Sequence, residues 1–568
     1  MRNKSLIISI LFAFAGIIAN AQSHNEQVTV EGSYRPQIKR SERLSKMPET
    51  PKNDFNIPNY KAEAKDFNYG YNLEVETMSA LTYKADYGVE SKNNFLKAGL
   101  GTRLSPVFLF RHYSDITRTM SLGIGVRHFS SWLDMSDYKK SSFMNNGFNV
   151  MTVNKFKSGQ LRAFGDYKYD MYHLRAYDDV ENPNGRNIHS FNVGAKWLAN
   201  GTSYRSFYNE VGADYRATWI AGGTVEHQIN GKAHIAYSDN WISDKNVDDL
   251  QTIATDVEVN FNHIDQSQML IAVNPHFSLS GDFYHLHLGA RVDFKTGGNI
   301  SVYPDVTGSV FILDNMFEFY AKFGGRSKIN TFADIVAENP FVTTNFENFS
   351  EFGYEKTSFE FQGGLKVKVA NNIDAHFGVR YRNIKNGVFY FLDPDFYATY
   401  EEDATVYHLQ AFDLLFLDYN VVNILADVHW KAMEKLDIAA ELSINRYTSF
   451  VDKNVGIVPQ DPYYTSRYVT PWYKPSFTMT LRGDYQLDET WKFNASMTLM
   501  GSRWAMGTNR NEVKLKPAFD FQIGADYKIQ EDLAAFAEIH NVFHQKYQLY
   551  YNYPSAGFEL FVGLKYKF

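Results

Sequence analysis

Several residue types and motifs are absent from this 568-residue chain, and each absence excludes a class of protein. There is no cysteine, which excludes disulfides, thiolate catalysis and lipoprotein acylation. After residue 21, no apolar run approaches the roughly 18 residues that a transmembrane helix needs. No nucleophile, zinc or phosphate-loop motif is present, so neither an enzyme activity nor a cofactor is predicted. The mild net charge of −7 argues against a nucleic-acid partner.

The start of the chain has the pattern of a secretory signal peptide. Arg2 and Lys4 precede the apolar run 6–18, and Ala19-Asn20-Ala21 supplies small residues at the cleavage positions. We therefore expect an exported protein whose signal peptide, residues 1–21, is removed.

Residues 22–93 differ from the rest because they contain four prolines between 36 and 58, a basic run at 35–46 and little sustained alternation. This composition predicts an extended periplasmic arm. The basic run could contact a periplasmic protein, partly occlude the following domain, or serve only as a tether.

From residue 94 onward, apolar and polar residues alternate. In the segment Tyr284–Phe294 the even positions are apolar, and the odd positions are His285, His287, Gly289, Arg291 and Asp293. Successive side chains of a strand point to opposite faces, so such strands suit a wall between lipid and a polar lumen. Aromatic residues make up 16% of the chain, which fits a barrel with aromatic girdles. Residues 94–568 are therefore predicted to form an all-β transmembrane antiparallel β-barrel.

Connector lengths give the strand number. Short connectors are predicted near 157–159, 313–315, 370–372, 432–434, 487–489 and 530–532, and long ones near 130–147, 172–187, 326–355, 386–416, 449–473, 503–513 and 541–556. Bacterial barrels have short periplasmic turns and long outer loops. This alternation predicts about 22 strands, within a range of 18–22, and is weakest between 200 and 300. No repeat of 20–50 residues indicates a propeller or solenoid.

The last strand, Phe558–Phe568, has one wholly apolar face and one mostly polar face. With Gly563, then Tyr566 and Phe568 at alternate positions, the strand resembles the C-terminal assembly signal of bacterial outer-membrane proteins. We expect the barrel assembly machinery of a Gram-negative outer membrane to recognise this strand, and outer-membrane lipids and lipopolysaccharide to surround the folded barrel.

The segment Ala535–Phe568 resembles the end of a TonB-dependent receptor barrel. The matching residues are Asn541-Val542-Phe543, Tyr547, Tyr553-Pro554, Gly557, Gly563 and Phe568. That family carries a glycine-rich N-terminal plug, whereas residues 22–93 contain only three glycines. The chain therefore resembles a shorter, plugless relative. Val28, Thr29 and Val30 resemble the short TonB-contacting box, which leaves TonB dependence open.

Three groups of residues are candidate site residues. His285 and His287 share one face of a strand, with His263 and His276 on preceding segments, and could bind a transition metal or simply line the lumen. Aromatic residues in two long loops could contact a ligand or partner, form the interfacial girdle, or pack on one another: Tyr463, Tyr464, Tyr468, Trp472, Tyr473, Tyr547, Tyr550 and Tyr551. Charged residues predicted to line the lumen could bias a pore or pair with one another: Arg291, Asp293, Arg380, Arg382, Arg482 and Asp484.

The predicted function is the transport or passage of solutes across the outer membrane, because a barrel of this size encloses a wide lumen. The alternative is a structural or docking barrel that holds a periplasmic or surface lipoprotein. TonB-energised uptake is a third hypothesis.

Overall fold

The computed structural model describes residues 93–568 except 136–137, 178–184, 224, 243–249, 314–315, 344–351, 370–371, 394–395, 400–405, 453–470 and 509–510, and only the backbone of 397–399 and 449–452. The predicted signal peptide, the arm up to residue 92 and the segment Val28–Val30 lie outside the described residues, as do Tyr463, Tyr464 and Tyr468.

The described chain is built almost entirely of strands. In chain order they are β1 (Asn94–Gly101), β2 (Ser105–Asp115), β3 (Met120–Ser131), β4 (Phe143–Lys155), β5 (Gly159–His173), β6 (Gly185–Ala199), β7 (Phe207–Ile220), β8 (Val225–Asp239), β9 (Leu250–Ile264), β10 (Gln266–Gly281), β11 (Tyr284–Lys295), β12 (Ile300–Ile312), β13 (Phe317–Ile329), β14 (Tyr354–Val369), β15 (Ile373–Asp393), β16 (Tyr397–Thr399), β17 (Val406–His408), β18 (Ala411–Met433), β19 (Leu436–Asp452), β20 (Phe477–Gln486), β21 (Trp491–Met500), β22 (Arg503–Met506), β23 (Glu512–Leu515), β24 (Ala518–Lys528), β25 (Leu533–His540), β26 (Gln548–Tyr550), β27 (Tyr553–Pro554) and β28 (Glu559–Lys567). One helix, α1, spans Phe332–Glu338.

Twenty-two of these strands form one antiparallel sheet that closes on itself. Each barrel strand pairs with the next along the chain, and β1 pairs with β28 with Gly99 opposite Gly563. The pairs β16–β17, β22–β23 and β26–β27 form separate small sheets within connections. The prediction of a closed barrel of about 22 strands is confirmed.

Alternation along each strand separates an apolar exterior from a polar interior. On β28, Val562 and Leu564 are about half exposed, whereas Phe561 on the opposite face is buried. The exterior of the barrel carries many other exposed large apolar side chains, among them Phe108, Phe148, Phe191, Phe319, Phe361, Phe377 and Val379. Such a surface is stable against hydrocarbon rather than water, so the fold is a transmembrane β-barrel. Among the described residues, no helix is long and apolar enough to cross a membrane.

The two ends of the barrel differ in their connections. The end that holds the start of β1 and the end of β28, here called the turn end, has mostly short turns, such as 156–158, 434–435 and 487–490. The opposite end, the loop end, has the long connections 330–353, 453–476 and 541–558. The predicted alternation is confirmed. Between 200 and 300 the loop end has only short turns, and the longest turn-end connection, 240–249, lies there.

At the loop end, the described residues of the long connections and the strand ends beside them form a hydrophobic core, here called the mouth. Its buried members come from across the sequence: Tyr138, Ile188, Ile220, Ile264, Phe332, Ile335, Val336, Val342, Phe352, Phe389, Tyr390, Leu392, Phe412, Leu415, Phe416, Leu417, Trp472, Tyr473, Ala505, Met506, Leu515, Tyr550 and Tyr553. Backbone hydrogen bonds join separate connections, for example Thr343 N–H to the Phe412 carbonyl at 2.7 Å and Tyr473 N–H to the Trp504 carbonyl at 2.8 Å.

The two longest strands supply the centre of the mouth. β15 has 21 residues and β18 has 23, so both extend past their neighbours. Their register shifts between Ile384 and Gly387, and Asn386 there has a φ of 59°. Beyond this bulge Phe389 and Leu392 are fully buried, as Phe412 is on the partner strand. A bulge bends a strand, which accounts for the change from a half-exposed wall to a buried core.

Candidate functional site

The inner wall of the barrel is lined by charged and amide side chains that bond to one another between strands, including pairs that reach across an intervening strand. Lys97 Nζ lies 3.0 Å from Glu538 Oε1, next to the β1–β28 closure. Lys565 Nζ lies 2.7 Å from Asp526 Oδ1. The wall is therefore a network of ion pairs facing the lumen.

The residues predicted to line the lumen are distributed around this wall and do not form one site. Arg291 is held by two carboxylates, with Nε 2.8 Å from Asp293 Oδ1 and Nη2 3.0 Å from Glu258 Oε2. Arg382 donates to Asn423 Oδ1 at 3.3 Å. Arg380 lies opposite Asn423 on the neighbouring strand. Charge pairing, the alternative to pore selectivity, therefore describes Arg291 and Asp293.

Arg482 and Asp484 lie on β20, far along the chain from this group. Asp484 pairs with Lys492 at 3.2 Å, whereas Arg482 is exposed and faces Ser496 of β21 in the strand register.

The structure brings only part of the predicted histidine group together. The rings of His276 and His287 lie 4.5 Å apart, centroid to centroid. His285 contacts Ser280 Oγ at 2.9 Å, and His263 contacts Ser267 Oγ at 3.0 Å near the loop end of β9. His263 is therefore not part of the group.

Three further residues that sequence reasoning did not select complete this histidine cluster. His234 Nδ1 lies 2.7 Å from Asp256 Oδ1, and His287 Nε2 lies 3.1 Å from Asp305 Oδ2. The imidazoles are thus engaged with carboxylates. Within the described ranges, no group of three or more His, Cys, Asp or Glu side chains could hold a metal ion.

The aromatic residues predicted in the loops are mostly buried. Trp472, Tyr473, Tyr547 and Tyr550 are each less than a tenth exposed, and Tyr551 packs beside them, partly buried. Tyr473 and Tyr550 lie 5.3 Å apart, centroid to centroid. Mutual packing, one of the predicted alternatives, therefore describes these rings, and any contact with a ligand would require the mouth to open.

Several charged groups inside the mouth form hydrogen bonds, whereas Trp472 Nε1 and the Tyr473 hydroxyl are buried without a partner among the described residues. Glu338 accepts hydrogen bonds from the Lys474 ammonium at 3.1 Å and from the Tyr390 hydroxyl at 2.9 Å. Burial alone would lower the pKa of Lys474, but attraction to Glu338 outweighs it and holds this pKa above the ordinary lysine value. The fully buried Arg503 donates to the carbonyls of Leu549 and Gln548 at 2.9 and 2.6 Å. The mouth is therefore stabilised by hydrogen bonds and an ion pair as well as by apolar packing.

A buried carboxylate attaches helix α1 to the wall. Glu226 on β8 accepts from the backbone N–H groups of Phe332 and Ala333 at 2.7 and 2.8 Å, and from the Gln228 amide at 2.8 Å. The Thr331 hydroxyl caps the helix by accepting from Asp334 N–H at 3.2 Å. The first N–H groups of a helix have no partner within it, so this carboxylate satisfies two of them.

A pocket of about 290 Å³ lies on the wall below α1, between β7 and β13. The cationic side chains along it are Arg216, Lys232, Arg291, Arg326 and Lys328, and the carboxylates are Glu258 and Asp334. Sequence alternation placed residues of this segment on one face but did not select Arg216, Glu226 or Asn262, because many polar residues share that face.

The predicted assembly-signal residues lie at the barrel closure. A Cβ atom on Gly563 would lie 2.1 Å from the Ala98 carbonyl oxygen and 2.6 Å from the Phe536 ring. Tyr566 and Phe568 are exposed on the exterior, with ring centroids 5.0 Å apart. Gly563 thus permits the close approach of β1 and β28.

Comparisons with known proteins agree on this architecture. No protein-family model and no curated protein sequence matches the chain. Among solved structures, the siderophore receptor PirA from Acinetobacter baumannii is similar with a TM-score of 0.60 and 9% identity, covering 84% of this chain and 81% of that one. The similar solved structures are TonB-dependent receptors or transporters. The chain has the barrel fold of that group.

Two other solved structures show the same likeness. The copper transporter OprC has a TM-score of 0.57 and 11% identity, covering 84% of this chain and 83% of that one. The ferric enterobactin receptor PfeA from Pseudomonas aeruginosa has a TM-score of 0.59 and 10% identity, covering 84% and 81%. At these identities the likeness concerns the fold, and the resemblance predicted from Ala535–Phe568 is confirmed at that level. The part of the chain that the structure describes contains no plug domain.

Proposed function

We propose that this chain is an outer-membrane barrel for the gated passage of small polar solutes. The observation that carries the proposal is the combination of a 22-stranded wall lined by ionic and amide groups with a hydrophobic core packed at the loop end. A barrel of that size is too wide for its side chains to fill. The apolar exterior and the fold shared with outer-membrane receptors support the location.

The closed mouth distinguishes this proposal from an open porin. Its core includes side chains with no exposed surface, such as Phe389, Phe412 and Leu417. A solute entering from the loop end would have to displace this core, so passage requires a conformational change. We therefore expect low conductance at rest and discrete opening events.

Flux through liposomes tests the proposal. The wild-type full chain and Arg503→Ala, which removes the bonds of Arg503 to the β26 hairpin, are reconstituted and challenged with neutral and charged sugars. We expect Arg503→Ala to pass solutes faster than wild type, because the mouth loses charge-assisted hydrogen bonds. Arg446→Ala, at an exposed arginine of β19, is the matched control. Solute-tight liposomes with both the wild type and Arg503→Ala would overturn the proposal.

The closed mouth also favours the second candidate, a docking barrel without passage. In that case residues 22–93 or the loop end hold a periplasmic or surface lipoprotein. Capture of one specific lipoprotein by the full chain, combined with liposomes that stay tight, would support it. TonB coupling is a separate part of the proposal, and deletion of Val28–Val30 without any effect on uptake would remove it.

A further inference from the structure

We propose that the pocket below α1 binds a small, hydroxyl-bearing anion, such as a sugar acid or sugar phosphate. This inference rests on the proposed passage function and names the class of solute. The pocket is lined by five cationic side chains and two carboxylates, and amides occupy much of the remaining wall.

The two carboxylates are already neutralised by protein groups. Asp334 Oδ2 lies 3.0 Å from Lys328 Nζ. Glu258 Oε2 lies 3.0 Å from the Arg291 guanidinium. Neither carboxylate therefore needs a cation from a ligand, and Arg291 is also held by Asp293 at 2.8 Å. The positive charge that is not paired in this way lies on Arg216 and, in part, on Lys232.

Arg216 is the centre of this excess charge. Its side chain makes no hydrogen bond or ion pair within the part of the chain that the structure describes, although it lines the pocket and is partly buried. Lys232, on the neighbouring strand, is mostly exposed and lies 3.9 Å from Glu258, at the limit of an ion pair. A guanidinium binds carboxylate or phosphate oxygens through paired hydrogen bonds, so Arg216 suits the anionic group.

Amide groups on β9 could form hydrogen bonds to the hydroxyl groups of a ligand. Asn262 is 2% exposed, and its Oδ1 atom is buried at the pocket without a hydrogen-bond donor. Asn260, two residues away on the same face, also lines the pocket and faces Asn230 of β8 in the strand register. A buried acceptor without a donor is costly, and a ligand hydroxyl would satisfy Asn262 Oδ1 once this side chain, which also bonds to Glu226, turns toward the pocket. The site therefore suits a ligand that carries hydroxyls as well as an anionic group.

The position of the pocket links binding to the mouth. It shares Thr331 and Asp334 with the start of α1, whose following residues Phe332 and Ile335 are buried in the mouth. A ligand in this pocket would thus lie beside a helix that belongs to the core of the mouth. A solute could therefore bind at this site immediately before or after it crosses the mouth.

Calorimetric binding to the purified full chain in detergent tests the inference. The probes are D-glucuronate and glucose 6-phosphate, with D-glucose as the neutral match and acetate as the anion without hydroxyls. We expect the two hydroxylated anions to bind at least about tenfold more tightly than either control, since both interactions contribute only in them. Equal affinity for glucose and glucuronate, or no binding of any probe, would overturn the inference.

Variants locate the site. Arg216→Gln is expected to weaken glucuronate binding by about tenfold or more and to leave glucose binding unchanged. Arg162→Gln, at an exposed arginine of β5 that does not line the pocket, is the matched control and is expected to bind like wild type. Thermal unfolding of both variants shows whether they fold. A folded Arg216→Gln that binds glucuronate as wild type does contradicts the assignment.

The binding measurement is independent of flux. Selective binding without solute flux in liposomes would retain the pocket and remove the passage function. Flux without preference for hydroxylated anions, together with no binding, would remove the pocket and retain passage.

Discussion

The barrel wall and the mouth are stabilised in different ways. In the wall, neighbouring strands pair in register and side chains alternate between exterior and lumen, so most contacts join adjacent hairpins. In the mouth, residues as distant as Tyr138 and Tyr553 form a conventional hydrophobic core, with ring centroids 5.6 Å apart. The wall is therefore specified by a local pattern, whereas the mouth depends on the assembled fold.

A substitution in the wall, at the barrel closure, is expected to reduce folding more than any other change considered. Gly563→Ala places a Cβ 2.1 Å from the backbone oxygen of Ala98, a contact that no rotamer can relieve. We expect β1 and β28 to separate and folded protein in the outer membrane to fall severalfold or more. Heat-modifiable migration on gels measures the folded fraction. Gly483→Ala is the matched control, because its Cβ would meet only the Asp437 oxygen at 3.9 Å. Equal folding of both variants would contradict the role of Gly563 in closure.

The next largest loss of stability is expected from a variant that destabilises the mouth and leaves the wall intact. Phe412→Ala removes a fully buried ring, and we expect a cost of about 3–5 kcal/mol to the mouth alone. Hydrogen exchange should accelerate at the Thr343 and Phe412 amides, which bond across the mouth, while wall amides stay protected. Phe377→Ala, at an exposed ring on the exterior of β15, is the control. Equal acceleration of hydrogen exchange in the wall and the mouth would show that the two regions do not unfold independently.

Removing an ion pair from the mouth is expected to have a smaller effect on its stability. Glu338→Gln removes the partner of Lys474, and we expect the mouth to lose about 1–2 kcal/mol, less than for a fully buried pair because 36% of the Glu338 side chain is exposed.

The pH dependence of this pair follows from the raised pKa of Lys474. Its contribution is fully present below the ordinary lysine pKa of about 10.4 and is lost only as the pH rises through the higher folded value. Wild-type and Glu338→Gln exchange rates should thus differ by a constant factor between pH 7 and pH 9. A difference that vanishes within that range would contradict the assignment.

The smallest change in stability is expected from a substitution in the turn 487–490, at the turn end of the barrel. Asp488 Oδ1 accepts from the N–H groups of Thr490 and Trp491, both at 2.8 Å, and these bonds lower the pKa of Asp488. Its contribution is therefore present above the ordinary aspartate pKa of about 3.9 and lost as the pH falls through the lower folded value. Asp488→Asn should remove this acid dependence from thermal unfolding and barely change the transition at pH 7. Glu489→Gln, in the same turn, should retain the wild-type acid dependence.

The sequence was sufficient to predict the wall. Alternation such as that of Tyr284–Phe294 sets the face of each residue, and the turn and loop lengths set the strand number, because both are local properties. The final strand is predictable for the same reason, whereas the close approach of β1 at Gly563 is seen only in the folded barrel.

The mouth and the pocket could not be predicted in this way. Trp472 and Tyr550 were recognisable as loop aromatics, but their burial depends on partners in other segments, such as Phe391 for Trp472 and Phe341 for Tyr550. Likewise, alternation places Arg216 and Asn262 on the inner face without showing that the Arg216 guanidinium and the Asn262 Oδ1 atom have no hydrogen-bond partner among the described residues. Which polar group remains unsatisfied is a property of the three-dimensional neighbourhood alone.

The dispersed origin of the mouth has a consequence for the order of assembly in the membrane. Hairpins of the wall can form one after another, because each strand pairs with the next along the chain. The mouth requires Tyr550 and Tyr553, which precede only the last strand, together with Tyr138 near the beginning. Contacts between such distant residues form late, because a long stretch of chain must first be ordered. A newly inserted barrel would therefore pass through a stage with an open lumen, and sealing the loop end would be the final step of its biogenesis.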